Sequence, residues 1–221
     1  MGIISVEQAD RLFWLGRYTE RVYTTLRIYS RSYDTMIDQI SESYPEFCSM
    51  IDIPNIYQDA DDFRQRYPFD EENPDSIISN LIRAYDNAIV LRESIGSESL
   101  SYIQLAIYEM NKAKGSEAPL IEMQKVVDNI LSFWGIVDDQ IDDEHVRNII
   151  KAGKRIERID MYARLGVERN ELVREVDRMI PRVERSGLSY HSDRILEIKR
   201  AMSEPEIRYY EIVQMVEEII A

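Results

Sequence analysis

Two stretches of this chain match each other without a gap, and they constrain its fold more than any other feature. Gly16-Arg17-Tyr18-Thr19-Glu20-Arg21 aligns with Gly153-Lys154-Arg155-Ile156-Glu157-Arg158. The match continues with Val22 over Ile159 and Arg27 over Arg164. At about 100° per residue, Ala9, Phe13, Gly16, Glu20 and Arg27 share one helix face, and Gly153, Glu157 and Arg164 share the equivalent face. A glycine inside a helix costs about 1 kcal/mol relative to alanine. Two glycines at equivalent places therefore predict that another helix comes close there. A glutamate on a partly apolar face has to be neutralised. The repeated arginines can do this, within one helix or across a pseudo-two-fold pair.

The rest of the chain has the pattern of helices. It contains only 8 Gly and 7 Pro, too few breakers for many short strands. Ser5 followed by Gln8 resembles a capping box. Apolar residues then recur at helical spacing with no proline before Pro45, which predicts one helix over Val6–Ser43, roughly 55 Å long. Residues 45–74 carry four prolines and form the least regular stretch, with a short helix near Tyr57–Arg66. Asn73 and Pro74 predict the start of a helix that Gly96 ends. Further helices are expected over Glu98–Ala113, Pro119–Gly135, Asp142–Gly166 and residues 168–185. Two shorter ones follow, split near Ser203–Pro205, with Ser203 capping the last. The expected fold class is all-α, an up-and-down bundle with an internal pseudo-repeat of two long helices, in a single domain over residues 1–221.

Charge and cysteine content narrow the function classes. Lys and Arg number 27 against 41 Asp and Glu, for a net charge of −14. Such a field repels phosphate backbones and anionic lipid, so neither nucleic acid nor membrane is an expected partner. No apolar run approaches the ~20 residues of a membrane span, and the first seven residues lack the features of a secretory leader. A single cysteine, Cys48, excludes an intrachain disulfide and fits a reducing compartment, so a cytoplasmic protein is expected.

The motif residues make the chain resemble a known family. Ala9-Asp10-Arg11-Leu12-Phe13-Trp14-Leu15-Gly16-Arg17-Tyr18-Thr19-Glu20-Arg21 resembles the start of the bacterial alpha-E family, named for its helices and its Glu-Arg motif. Asp86-Asn87-Ala88, Leu91-Arg92-Glu93 and Ser97-Glu98 resemble its middle element. Phe133-Trp134-Gly135-Ile136-Val137, leading to Gly153-Lys154-Arg155-Ile156-Glu157-Arg158, resembles its second motif. The likeness is clearest over residues 5–165, and the helices of 166–221 diverge. Members are typically encoded beside, or fused to, an ATP-grasp protein and a transglutaminase-like protein. The resemblance implies a protein partner of that kind in a peptide-modifying or amide-forming system.

The candidate site residues are Glu20, Arg21, Arg27, Asp86, Arg92, Glu93, Glu98, Glu157, Arg158 and Arg164. Asp86 and Glu93 are seven apart, which puts them on one helix face. Two readings stay open. In one, the charges form a buried ion network that fixes helix register, and the chain is an accessory or interaction protein. In the other, they line a pocket of an enzyme domain, with carboxylates as acid and base and arginines gripping an anionic substrate.

Other constellations lead to no site. Asp138-Asp139-Gln140-Ile141-Asp142 has the spacing of a diphosphate-metal motif, but no second aspartate-rich motif accompanies it. Asp142-x-x-His145 is half of what a di-iron bundle needs, and the chain has only one other histidine, His191. Cys48 has no histidine near it in sequence and is expected to be an inert thiol. Trp14 and Trp134 are expected as core anchors. No cofactor and no metal are expected.

Overall fold

The computed structural model describes residues 4–38 and 43–221, and 76% of the chain is helical. Among the described residues there are ten helices and no strand. They are α1 (Val6–Asp38), α2 (Ser43–Met50), α3 (Ala60–Arg66), α4 (Ile77–Val90), α5 (Arg92–Lys114), α6 (Pro119–Asp139), α7 (Glu144–Arg164), α8 (Arg169–Ser186), α9 (Ser192–Ala201) and α10 (Tyr209–Glu217). The chain divides into two compact units, one of residues 1–20 and 141–221, the other of residues 21–140. The continuous helix α1 thus contributes its first part to one unit and the remainder to the other.

In the first unit α7 is the central element and packs on α8 and α10, while α10 also packs on α9. The α8 residues Leu172, Val176, Met179 and Val183, spaced by four, three and four, are all fully buried. Val146, Ile149, Ile150, Ile156 and Ile159 of α7 are also buried. Each such side chain stabilises the fold by about 1.5–3 kcal/mol. Asp143 starts α7 by accepting the N–H groups of His145 and Val146. The chain end is tied down where His191 N–H donates to Ile219 O (2.8 Å) and Ala221 N–H to Ser189 O (3.0 Å).

In the second unit α5 packs on α4 and α6. The proline-rich segment is not an open loop but folds around aromatic rings. Tyr29 of α1 lies 6.1 Å from both Phe47 and Phe63, and Phe63 stacks on Tyr67 at 4.9 Å. Asp59 and Ser76 cap α3 and α4 through side-chain oxygens.

Several helix ends differ from the sequence expectation, each for a local reason. The expected run of the first helix to Ser43 crosses residues 39–42, outside the described residues, and Ser43 instead opens α2. The helix expected at Pro74 begins at Ile77, because Asn73 Oδ1 accepts the N–H of Asp75 (2.9 Å) in an Asx turn and Ser76 takes the cap. Gly96 does break helical geometry, at φ +81°, ψ +156°, but helix has already resumed at Arg92, just after Leu91. The helix expected from Asp142 begins at Glu144, capped by Asp143. Ser203 does not cap the last helix: its hydroxyl donates to Lys199 O (2.9 Å), and Arg208 occupies the cap position.

Candidate functional site

The two motif glycines bring α1 and α7 into backbone contact. A Cβ on Gly16 would lie 2.1 Å from the carbonyl oxygen of Ile150, and one on Gly153 would lie 2.1 Å from that of Phe13. The contacts are reciprocal. Gly16 meets Ile150 and Lys154, and Gly153 meets Phe13 and Arg17, which are the residues aligned with them. Any side chain larger than hydrogen would push the helices apart, so the helix-propensity cost of both glycines is offset by close packing.

At this distance the motif glutamates meet arginines of the opposite helix. Arg17 Nε donates to Glu157 Oε2 at 2.7 Å, and Arg158 Nε donates to Glu20 Oε1 at 2.6 Å. Both carboxylates are 0% exposed. Arg17 is also held from the side, its guanidinium 5.0 Å over the Trp14 ring, which in turn stacks on Tyr18. Trp14 therefore acts through an arginine as well as through packing, while Trp134 is a buried anchor against Phe133.

The network extends into α8. Glu175, 2% exposed, accepts from Arg155 and from Arg178 Nη1 (2.8 Å) and lies 3.8 Å from Arg158. Burial raises the Glu175 carboxyl, but Arg155 and Arg158 more than offset this and hold it below the ordinary glutamate range. Asp160, also fully buried, accepts from Arg164 Nε (3.1 Å). Burial and the neighbouring Glu157 raise its carboxyl above the ordinary aspartate range, against Arg164 and Arg17.

The sequence candidates are therefore only partly gathered. Glu20, Glu157 and Arg158 are brought together, and Arg164 joins through Asp160 with Glu217 at 3.8 Å. Arg21 is half-buried at the start of the second unit. Arg27 is exposed, its Nη1 donating to the Tyr23 hydroxyl at 2.8 Å. Asp86, Arg92, Glu93 and Glu98 belong to the second unit and face solvent, Arg92 Nε donating to Ser97 Oγ (3.0 Å). Asp86 and Glu93 do not share a helix face, because α4 ends at Val90 and α5 starts at Arg92.

Arg17, Arg155, Asp160 and Glu175 were not among the candidates. Arg17 had a visible signal, since a basic residue follows the glycine in both motifs. Glu175 had none, because α8 lies outside the matched segments.

A carboxylate acts as general acid or base only if it reaches a substrate proton within about 3 Å, directly or through one water. Carboxylates with no exposed surface, each hydrogen-bonded to a guanidinium, are instead suited to fixing helix register. Cys48 is buried, and burial pushes its thiol up to about 11, far from a reactive thiolate. The aspartate run is split between the end of α6 and the cap of α7. Among the described residues no group of three or more His, Cys, Asp or Glu side chains is placed to hold a metal, and no helix is long and apolar enough to cross a membrane.

Residues 7–204 match the Alpha-E family model, described as "a predicted alpha-helical domain with a conserved ER motif". The match runs past residue 165, the end of the stretch over which the sequence likeness is clearest, and takes in much of the segment expected to diverge. No curated protein and no solved structure matches the chain.

Proposed function

The chain belongs to the Alpha-E family, and on that premise we propose that it is an accessory, interaction protein of an ATP-grasp-linked system that modifies peptides or forms amides. In this reading the paired Glu-Arg motifs are an internal pseudo-repeat that locks α1 on α7, and the chain works by presenting a rigid helical surface to an ATP-grasp or transglutaminase-like partner. The observation that carries it is the complete burial of Glu20 and Glu157 in crossed arginine pairs, which withdraws the motif carboxylates from chemistry. The reciprocal glycine contacts support the pseudo-repeat. The net charge of −14 disfavours nucleic acid as the partner, and the single cysteine suits the cytoplasm.

The test is affinity purification of the tagged chain with the neighbouring gene products, followed by ATP-dependent ligation assays with and without it. Co-purification of the ATP-grasp protein, and a ligation rate that depends on the chain, are the expected results. A ligation rate indifferent to its presence removes the proposal.

A further inference from the structure

The second unit contains a cleft of about 520 Å³ that the accessory role does not use. Tyr33 and the edge of Phe69 supply its apolar wall, and Tyr29 and Met123, which also line it, are fully buried. The volume falls within the ~300–1,000 Å³ of small-molecule sites, which combine apolar walls with a few placed polar groups. One side is already organised. The Arg64 guanidinium sits 5.8 Å over the Tyr33 ring and pairs with Asp61, and the Tyr29 hydroxyl donates to Arg64 O at 3.3 Å.

The charges on the rim indicate what the cleft accepts. The Arg64–Asp61 pair cancels itself. Lys114, the last residue of α5, and Glu117, in the turn before α6, line the same cleft, and neither has an ion-pair partner among the described residues. Nearby on the same helix pair, Lys112 and Lys125 are both neutralised by Glu109 and Glu122. The α6 helix starts at Pro119 with no side-chain cap, so its partial positive charge lies beside Glu117, while Lys114 sits at the partially negative end of α5. The cleft thus offers one cation, one anion and an apolar wall. A purely anionic ligand would meet Glu117, and a purely cationic one would meet Lys114. A second hollow of about 350 Å³ shares Gln65, Phe69 and Lys114 with the cleft and extends it.

We propose that this cleft binds a zwitterion of the amino-acid type, a free amino acid or a dipeptide with an aromatic or branched apolar side chain. Its carboxylate pairs with Lys114, its ammonium pairs with Glu117, and its side chain lies against Tyr33 and Phe69.

The test is an NMR titration of the full ¹⁵N-labelled chain with L-phenylalanine and with the phenylalanyl-phenylalanine dipeptide. N-acetylphenylalanine, which lacks the ammonium, and phenylalaninamide, which lacks the carboxylate, serve as the singly charged arms. Saturable shifts at Tyr33, Lys114 and Met123 are expected, with each singly charged analogue about tenfold weaker. Lys114→Met and Glu117→Gln, both at exposed positions, should each weaken the zwitterion about tenfold. Lys114→Met should not weaken phenylalaninamide, which has no carboxylate for Lys114 to hold. Binding of the dipeptide alone assigns both hollows, and binding of the amino acid alone assigns the larger one. No saturation by either zwitterion at about 10 mM, or binding indifferent to both variants, overturns the proposal. Binding is read on the isolated chain, so the outcome is separate from that of the ligation assay.

Discussion

The two parts of α1 are held by opposite means. From Val6 to Glu20 the helix meets α7 through bare glycine backbone and two crossed Glu–Arg pairs. Beyond Arg21 it is held by rings, with Tyr29 within 5.7–6.2 Å of Tyr33, Phe47, Phe63 and Tyr67. The first contact is selective, because a slip of one turn would strand buried charges and drive a side chain into backbone. The second is tolerant, because apolar area stabilises without regard to direction. The motif contact therefore specifies register, and the aromatic contact supplies cohesion.

The largest expected effect lies at the glycines. Gly16→Ala gains about 1 kcal/mol of helix propensity, but its Cβ would sit 2.1 Å from a carbonyl oxygen, and backbone cannot yield as a flexible side chain can. A net loss of about 3 kcal/mol in urea melts is expected, and the same for Gly153→Ala. A stabilised variant would mean that the two helices do not touch.

Next come the buried pairs. Glu20→Gln and Glu157→Gln keep shape and remove charge, leaving a poorly solvated arginine without its nearest carboxylate. The expected loss exceeds about 2 kcal/mol for at least one of them, within the ~3–5 kcal/mol typical of a broken buried pair. Two variants as stable as wild type would point to a solvated, functional site instead. Replacing both partners, Glu20→Leu with Arg158→Met, should recover much of the loss, since an apolar pair has no charge to strand.

The aromatic side should respond more mildly to a change of shape. Phe47→Leu keeps the site apolar and is expected to cost about 1.5 kcal/mol or less. A cost above that of Glu20→Gln would reverse the comparison. Tyr67→Phe should even stabilise by about 1 kcal/mol, because the Tyr67 hydroxyl is buried without a hydrogen-bond partner among the described residues.

The smallest effects are in the pH dependence. Glu175 is held below its ordinary value, so its contribution is full above the unfolded value of about 4.3 and is lost as pH falls through its lower folded value. Asp160 is raised, so its contribution is full below the unfolded value of about 3.9 and is lost as pH rises through its higher folded value. Glu175→Gln should therefore flatten the acid loss of stability. Asp160→Asn should remove the opposing slope, by under about 1 kcal/mol between pH 4 and 7. Urea midpoints across that range read both.

Much of this was determined by the sequence alone. The 3.6-residue pattern and the scarcity of breakers dictated helices, since these act within a turn or two of chain. The glycines at matched places required a close neighbour, and a glutamate on an apolar face required a cation. Which cation it met was a tertiary matter. Glu157 takes Arg17, and Glu20 takes Arg158, because the helices approach at Gly16 and Gly153 closely enough for each guanidinium to reach across. Glu175 joins them only because α8 packs on α7. Asp86 and Glu93 share a spacing but not a helix, because the chain breaks at Leu91 between them. Local periodicity says where a side chain leaves its own helix. What it meets depends on the distance and angle of another, and those are set by the packing of residues far away along the chain.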